Sequence, residues 1–544
     1  EFEIIVDEKF EKPDLEADYV WGGEVQAVTP VNDVYSISTA AELAWVAQQV
    51  NSGENTFAGK TVQLVADIDL NNQPWTPIGL NADDAKKFKG TFEGVALTKA
   101  DTYPVIRNLY VETSPGYTAA GFFGALNGTA KNFGIENATI KHISTGNANG
   151  QTDNGIAVVA GSIYTNGNIE GVTVKNATVE GNRYVGGIAG YTYGNVKNCS
   201  VENLTLKAIP NQLADGSYDN GDKVGGIVGA FWWESTYNVS GNTAKNVSIY
   251  AYRDAGIIAG FATGAGVKNN TVEGKNNITI DQETYFYADK PANAGEIVGN
   301  LSGALADGNA VTGDVSYSTL INVDEPESFA SVVAAAKDGD IITVADGEFD
   351  LPSSVGAAGE GTITFVGNGM ESTQLNGSTN PSGNANSPGN YAHGKHLVFK
   401  DMTFKTVNAG YQGGFGHAAS VTFINCKIIG QFYCHSEAPH YFYDCTIDPL
   451  TGYLYTYASD CVFEGCTFEA SEGKALQVYE DSSEGENTVT IKDCDFIAAK
   501  QATTWDGKPV TGIDINSNGA IFNVTIDNCK TTGFPTGLNS GSDL

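Results

Sequence analysis

The 544-residue chain predicts an all-β fold, a parallel β-solenoid in two segments, each opened by a short capping helix. Three observations carry that expectation. An apolar run closing on glycine recurs six times, ending at Gly124, Gly161, Gly190, Gly229, Gly260 and Gly299, spaced by 37, 29, 39, 31 and 39 residues. Repetition at such a period marks stacked units, none of which buries its apolar face alone. A second phrase, Asn-x-Thr/Ser-apolar, follows most of them, at Asn137, Asn176, Asn203, Asn246 and Asn277, and reads as a turn entering a strand. Composition agrees, since 65 glycines and two methionines among abundant Val, Ile, Thr and Tyr suit strands joined by tight turns.

Residues 1–34 are acidic, contain proline and read as a tether. The first solenoid follows over 35–320. It opens on Thr39-Ala40-Ala41-Glu42, a capping box for a helix through Leu43, Val46 and Val50, and then a strand at 61–65. The second solenoid covers 321–544, with the boundary near Leu320 to Glu325. There Ser328 is expected to cap a helix through Phe329, Val332, Val333 and Ala336, ahead of a strand at 341–344. A short helix feeding a strand covers a first rung that would otherwise lack a partner.

The second segment has its own ladder, an aromatic or apolar residue, two variable positions, then Cys-x-apolar. Its rungs hold Met402, Cys426, Cys445, Cys466, Cys494 and Cys529 in one slot, at intervals of 24, 19, 21, 28 and 35 residues. The slot keeps step with the apolar positions, so it should point inward, where a free cysteine acts as a small hydrophobe. Zinc sites favour close pairs such as Cys-x₂-Cys, and these slots lie a full turn apart.

The charge balance, 30 basic against 64 acidic residues, gives a net of −34. Such a field repels phosphate backbones and anionic lipid surfaces, which argues against nucleic acid as a partner. No apolar stretch reaches the roughly 20 residues that cross a bilayer. The chain begins without methionine, so its start is expected to be missing or processed, and the protein to be exported.

Several residue groups could carry function. Tyr453, Tyr455 and Tyr457 alternate along one strand and share a face, which makes either a platform for sugar rings or a core stack. Trp232 and Trp233 offer a second glycan or protein contact if exposed. His393, His396, His417, His435 and His440 crowd one window without matching a ligand motif. The acidic run 480–486 has enough carboxylates for calcium but lacks the spacing of an EF-hand, and a solvated turn is its simpler reading. Trp505-Asp506-Gly507-Lys508 reads as a tight turn.

Two resemblances extend this reading. Residues 35–315 resemble the GLUG-repeat proteins of gut Bacteroidetes. The likeness rests on Ser38-Thr39-Ala40-Ala41-Glu42-Leu43, Trp75-Thr76-Pro77-Ile78-Gly79, Gly90-Thr91-Phe92-Glu93-Gly94, Ile106-Arg107-Asn108-Leu109-Tyr110 and the glycine anchors. It implies a lipid-anchored surface adhesin. The second half is similar to the pectin-lyase-like right-handed β-helices, and within them to pectinesterases, through residues 329–347, 426–431 and 441–445. That likeness implies that Gln431, and less directly Gln412, match the family's active-site glutamines. The family's acid, nucleophile and arginine are absent, with Phe432 and Gly452 in the carboxylate positions and no arginine after Arg253. Ester hydrolysis by that route needs two placed carboxylates, and Asp448 alone would not suffice.

The expected protein is therefore a right-handed parallel β-helix on the outer-membrane surface, outside the cell. Its role would be adhesion or glycan binding without catalysis, with polysaccharide or a cell-surface glycoprotein as partner, no nucleic acid and no membrane span. Calcium is the one ion that could assist, and no other metal or cofactor is expected. The alternative is a polysaccharide lyase or carbohydrate esterase acting on acidic polysaccharide.

Overall fold

The structure is a computed structural model. It describes residues 21–540 apart from 80–82, 98–101, 114–118, 143–154, 213–217, 232–236, 264–265, 282–292, 303–304, 378–389, 407–414, 435–437, 451–452, 458, 471–473, 481–486, 499–510, 518–521 and 535. The chain divides into two compact units, Glu1–Tyr317 and Ser318–Leu544.

In the first unit α1, Ala40–Ser52, starts at the capping box: Thr39 accepts from the Glu42 amide, and the Glu42 carboxylate accepts from the Thr39 amide. Gly53 ends it in the left-handed conformation at φ 80°. Its buried Leu43, Val46 and Val50 join one continuous core with Ile37, Phe57 and Phe88. Four stacks of parallel strands make up the unit, one of them a nine-stranded sheet running from Val34–Ile37 to Leu305–Asp307.

The closing glycines sit where two of these stacks press backbone against backbone. A Cβ on Gly190 would lie 2.1 Å from the Ile156 amide nitrogen, and one on Gly260 would lie 2.4 Å from that of Val224. No side chain fits there, which is why the phrase always ends on glycine.

The asparagine phrase does not start strands. Asn137, Asn176, Asn203 and Asn246 lie inside nine-residue strands (Gly134–His142, Thr173–Gly181, Ser200–Ala208 and Thr243–Ala251), each at φ between 53° and 59°. Asparagine tolerates this left-handed kink, and its amide bonds to the next rung: Asn203 donates to Asn176 at 3.0 Å and Asn246 to Asn203 at 3.0 Å. Asn277 is out of step, pairing with Ser248, while Gly274 takes the kink at φ 71°. A side chain there would meet Asn246 Oδ1 at 2.2 Å.

On the outer side of these long strands charges alternate rung by rung, Arg107, Glu136, Lys175, Glu202, Lys245 and Glu273. Opposite charges on adjacent strands favour this register, because a slip of one rung would align like charges. A second ionic group is buried. The aligned Arg183, Asp222 and Arg253 meet Lys223 and Asp254 beside Tyr184. Asp222 lies 3.1 Å from Arg183 Nε and 2.7 Å from an Arg253 nitrogen, and it also pairs with Lys223. Burial alone would raise the Asp222 pKa, but Lys223, Arg183 and Arg253 outweigh it and hold the carboxyl well below the usual range.

In the second unit α2, Pro326–Ala335, begins one turn earlier than the sequence suggests. Pro326 takes the first helical position, and Glu325 is the N-cap without a side-chain bond. Ser328 is inside the helix and donates its hydroxyl to the Glu325 carbonyl, so it is not the cap. Three faces of parallel strands then wind around one core. Phe365, Phe399, Phe423, Phe442 and Phe463 stack through it at centroid distances of 4.9–5.2 Å, nearly parallel. The cysteine slot points inward beside this column. All eight cysteines are free thiols, and burial pushes Cys426 up to about 12. Each slot follows a left-handed Asp, Asn or Gly, as at Asn425 and Asp444, which turns the chain between faces.

Candidate functional site

The third face of the second unit consists of Tyr433–Cys434, Leu454–Tyr457, Leu476–Glu480, Thr511–Ser517 and Thr536–Ser540, all parallel. Side chains alternate across it. Leu454, Leu476 and Ile513 form one inward row, and Cys434, Val478 and Ile515 belong to a second. The residues between them, Tyr433, Tyr455, Gln477 and Asp514, align on the opposite, outer side.

That outer row is aromatic at one end and polar at the other. The Tyr455 ring lies 5.3 Å from Tyr433, tilted by 30°, 5.5 Å from Tyr479, stacked at 24°, and 5.7 Å from Tyr453 edge-on. Lys474 Nζ is 5.9 Å from the centre of the Tyr453 ring and forms an ion pair with Asp514. Tyr433, Tyr455, Gln477 and Asp514 are each no more than 9% exposed, whereas Tyr453, Tyr479 and Lys474 are half-buried around them. The result is a rim of phenol rings and one ammonium over a floor of rings, an amide and a carboxylate.

The sequence placed the tyrosine group on this strand and left its face open. The rings that stack come from neighbouring rungs, not only from alternate residues of one strand. Alternate residues stand almost 7 Å apart and adjacent rungs about 4.8 Å, and only the shorter spacing matches ring stacking. Tyr457 is in the strand with its side chain outside the described residues. Tyr433, Lys474, Gln477, Tyr479 and Asp514 were missed, because irregular loops between rungs hide their alignment.

Gln431 is half-buried and precedes Phe432. The Phe432 ring packs edge-on against Phe423 and Phe442 at 5.6 and 6.0 Å, so the position matched to a catalytic acid belongs to the core. Asp448, aligned with Ile429 on another face, accepts from the Leu450 amide. Gln412, Trp232, Trp233, His435, most of the acidic run and the Trp505 turn lie outside the described residues.

The remaining histidines are dispersed. His393 contacts Ser354, His396 contacts Ser420, His417 stacks on Tyr391, and His440 is buried against the Ala438 carbonyl. Among the described residues no three His, Cys, Asp or Glu side chains converge as a metal site. No described helix is long and apolar enough to cross a membrane.

Two family models agree with this architecture. Residues 383–543 match the family model for a right-handed β-helix region, and residues 181–207 match the GLUG motif. Among solved structures, the chain is similar to a mutant of the PL6-family alginate lyase AlyGC, at 9% identity and a TM-score of 0.20. That alignment covers 93% of this chain and 100% of the lyase. It is also similar to the A-module of the Azotobacter vinelandii mannuronan C-5 epimerase AlgE6, at 9% identity and a TM-score of 0.19, covering 92% of this chain and 96% of the other. No curated protein matches. The protein is a right-handed parallel β-helix carrying a GLUG motif.

Proposed function

We propose that the protein binds glycans outside the cell, tethered at the surface through its acidic N-terminal segment, and performs no catalysis. The observation that carries this reading is the outward tyrosine row of the second unit, with Gln477 and the Lys474–Asp514 pair beside it. The half-buried rim rings Tyr453 and Tyr479 offer apolar faces to sugar rings, and phenol hydroxyls suit sugar hydroxyls. A long stacked architecture also lets weak contacts add through avidity.

The second reading is a lyase or esterase acting on acidic polysaccharide. Lys474 beside Asp514 across neighbouring rungs favours it, as a base next to a carboxylate. Their mutual pairing weakens it, because each group is engaged by the other rather than directed at a substrate.

A pull-down on plant and mucosal polysaccharides, with and without calcium, tests both. The same tubes are analysed for released methanol, reducing ends and unsaturated sugars. Binding with unchanged polymer is expected. Product release would overturn the non-catalytic reading, and no binding to any polymer would overturn glycan recognition.

A further inference from the structure

We infer that the tyrosine face selects uncharged glycans and rejects carboxylated ones, an inference that rests on the glycan-binding reading above. Three independent features point the same way.

The first is local charge occupancy. Lys474 lies over the Tyr453 ring, and Asp514 already pairs with it. The Asp514 side chain is 7% exposed and that of Lys474 31%. A uronate carboxylate would have to compete for Lys474 with a buried carboxylate that already pairs with it, which is unfavourable. The pair therefore presents itself to a ligand as a neutral group with hydrogen-bonding capacity.

The second is the absence of a fork. Residues 318–544 contain no arginine, so no guanidinium of this unit can grip a carboxylate through two parallel bonds. The polar group at the centre of the row is Gln477, aligned between Tyr455 and Asp514. An amide both donates and accepts, which suits a hydroxyl better than an anion.

The third is the surrounding field. The same 227 residues carry 28 Asp and Glu against 10 Lys, a net charge of −18. A polyanion approaching this unit meets like charge at every distance inside the screening length, about 10 Å at 0.1 M salt. Sugar hydroxyls and ring faces meet no such barrier.

The test uses the full chain and affinity electrophoresis in gels containing one polymer each. Xyloglucan, galactomannan and β-1,3-glucan are the neutral probes, and polygalacturonate and alginate the carboxylated ones. All are run at low salt with and without calcium. Retardation is expected in at least one neutral gel, with carboxylated polymers at least about tenfold weaker in the absence of calcium. Carboxylated polymers binding as tightly as neutral ones would overturn the inference while leaving glycan binding intact. Failure of every gel would instead remove the reading on which it rests.

Asp514→Asn adds a gain-of-binding arm. Freeing Lys474 is expected to raise the ratio of carboxylated to neutral binding severalfold, and an unchanged ratio would refute the role given to the pair. A melting temperature near that of the parent shows that this variant is folded. Lys474→Gln, which removes the cation, is expected to leave that ratio low, so a rise there would also count against the inference.

Discussion

Replacing Asp222 with asparagine removes the anion at the centre of the ionic group in the first unit. Lys223 and Arg253 keep Asp254 at 4.0 and 3.6 Å, and Lys223, 5% exposed, remains buried. Removing one partner of a buried pair typically costs about 3–5 kcal/mol, and the partial exposure of Arg183 places this case toward the lower end. We expect Asp222→Asn to lose about 3 kcal/mol at pH 7, measured by urea denaturation followed by circular dichroism. The pH dependence is a second signature. The folded Asp222 pKa is depressed, so its contribution is present above the unfolded carboxylate range, near 3.9, and is lost as pH falls below it toward the folded value. The gap between parent and variant should therefore hold from pH 7 to 5 and close below about pH 4. A loss under about 0.5 kcal/mol at pH 7, or a gap that persists unchanged in acid, would refute the assignment.

Other outcomes follow from the same geometry. Gly190→Ala places a methyl 2.1 Å from the Ile156 nitrogen and should destabilise the first unit by more than about 2 kcal/mol, read as a lowered melting temperature. Phe423→Ala opens a void between Phe399 and Phe442 and should cost about 3–5 kcal/mol in urea denaturation. Burial lowers the His142 pKa to about 4, so the folded state resists its protonation. Stability should fall by about 3 kcal/mol as pH drops from 6.5 to 4, and His142→Gln should flatten that slope in a pH series of denaturation curves.

Much of the fold is legible in the chain. The capping box at Thr39 and Glu42 is a local signal, and the structure forms it as written. The glycine repeat announces stacking, but its cause, two strand stacks in backbone contact at Gly190 and Gly260, involves residues more than 30 positions away. The asparagine phrase was legible as a repeat but not as a kink, since an Asn before Thr suits either a turn or a left-handed residue inside a strand. Asn277 shows the cost, matching the phrase while Gly274 fills the structural position. The ionic group was within reach: Arg183, Asp222 and Arg253 each stand seven residues before a closing glycine. The tyrosine face was harder. Gln477 and Asp514 align with Tyr455 across loops of unequal length, so no fixed interval marks them.

The central claim is that the outward tyrosine row is the glycan-binding surface. Isothermal titration of oligosaccharides from the polymer that binds best, into the parent chain and into Tyr479→Ala, tests it most directly. Tyr479 is half-buried at the rim, so its truncation should leave the melting temperature nearly unchanged. The account predicts affinity at least about tenfold weaker in the variant, the loss expected when an aromatic anchor is removed. Equal affinity in the two proteins would contradict it.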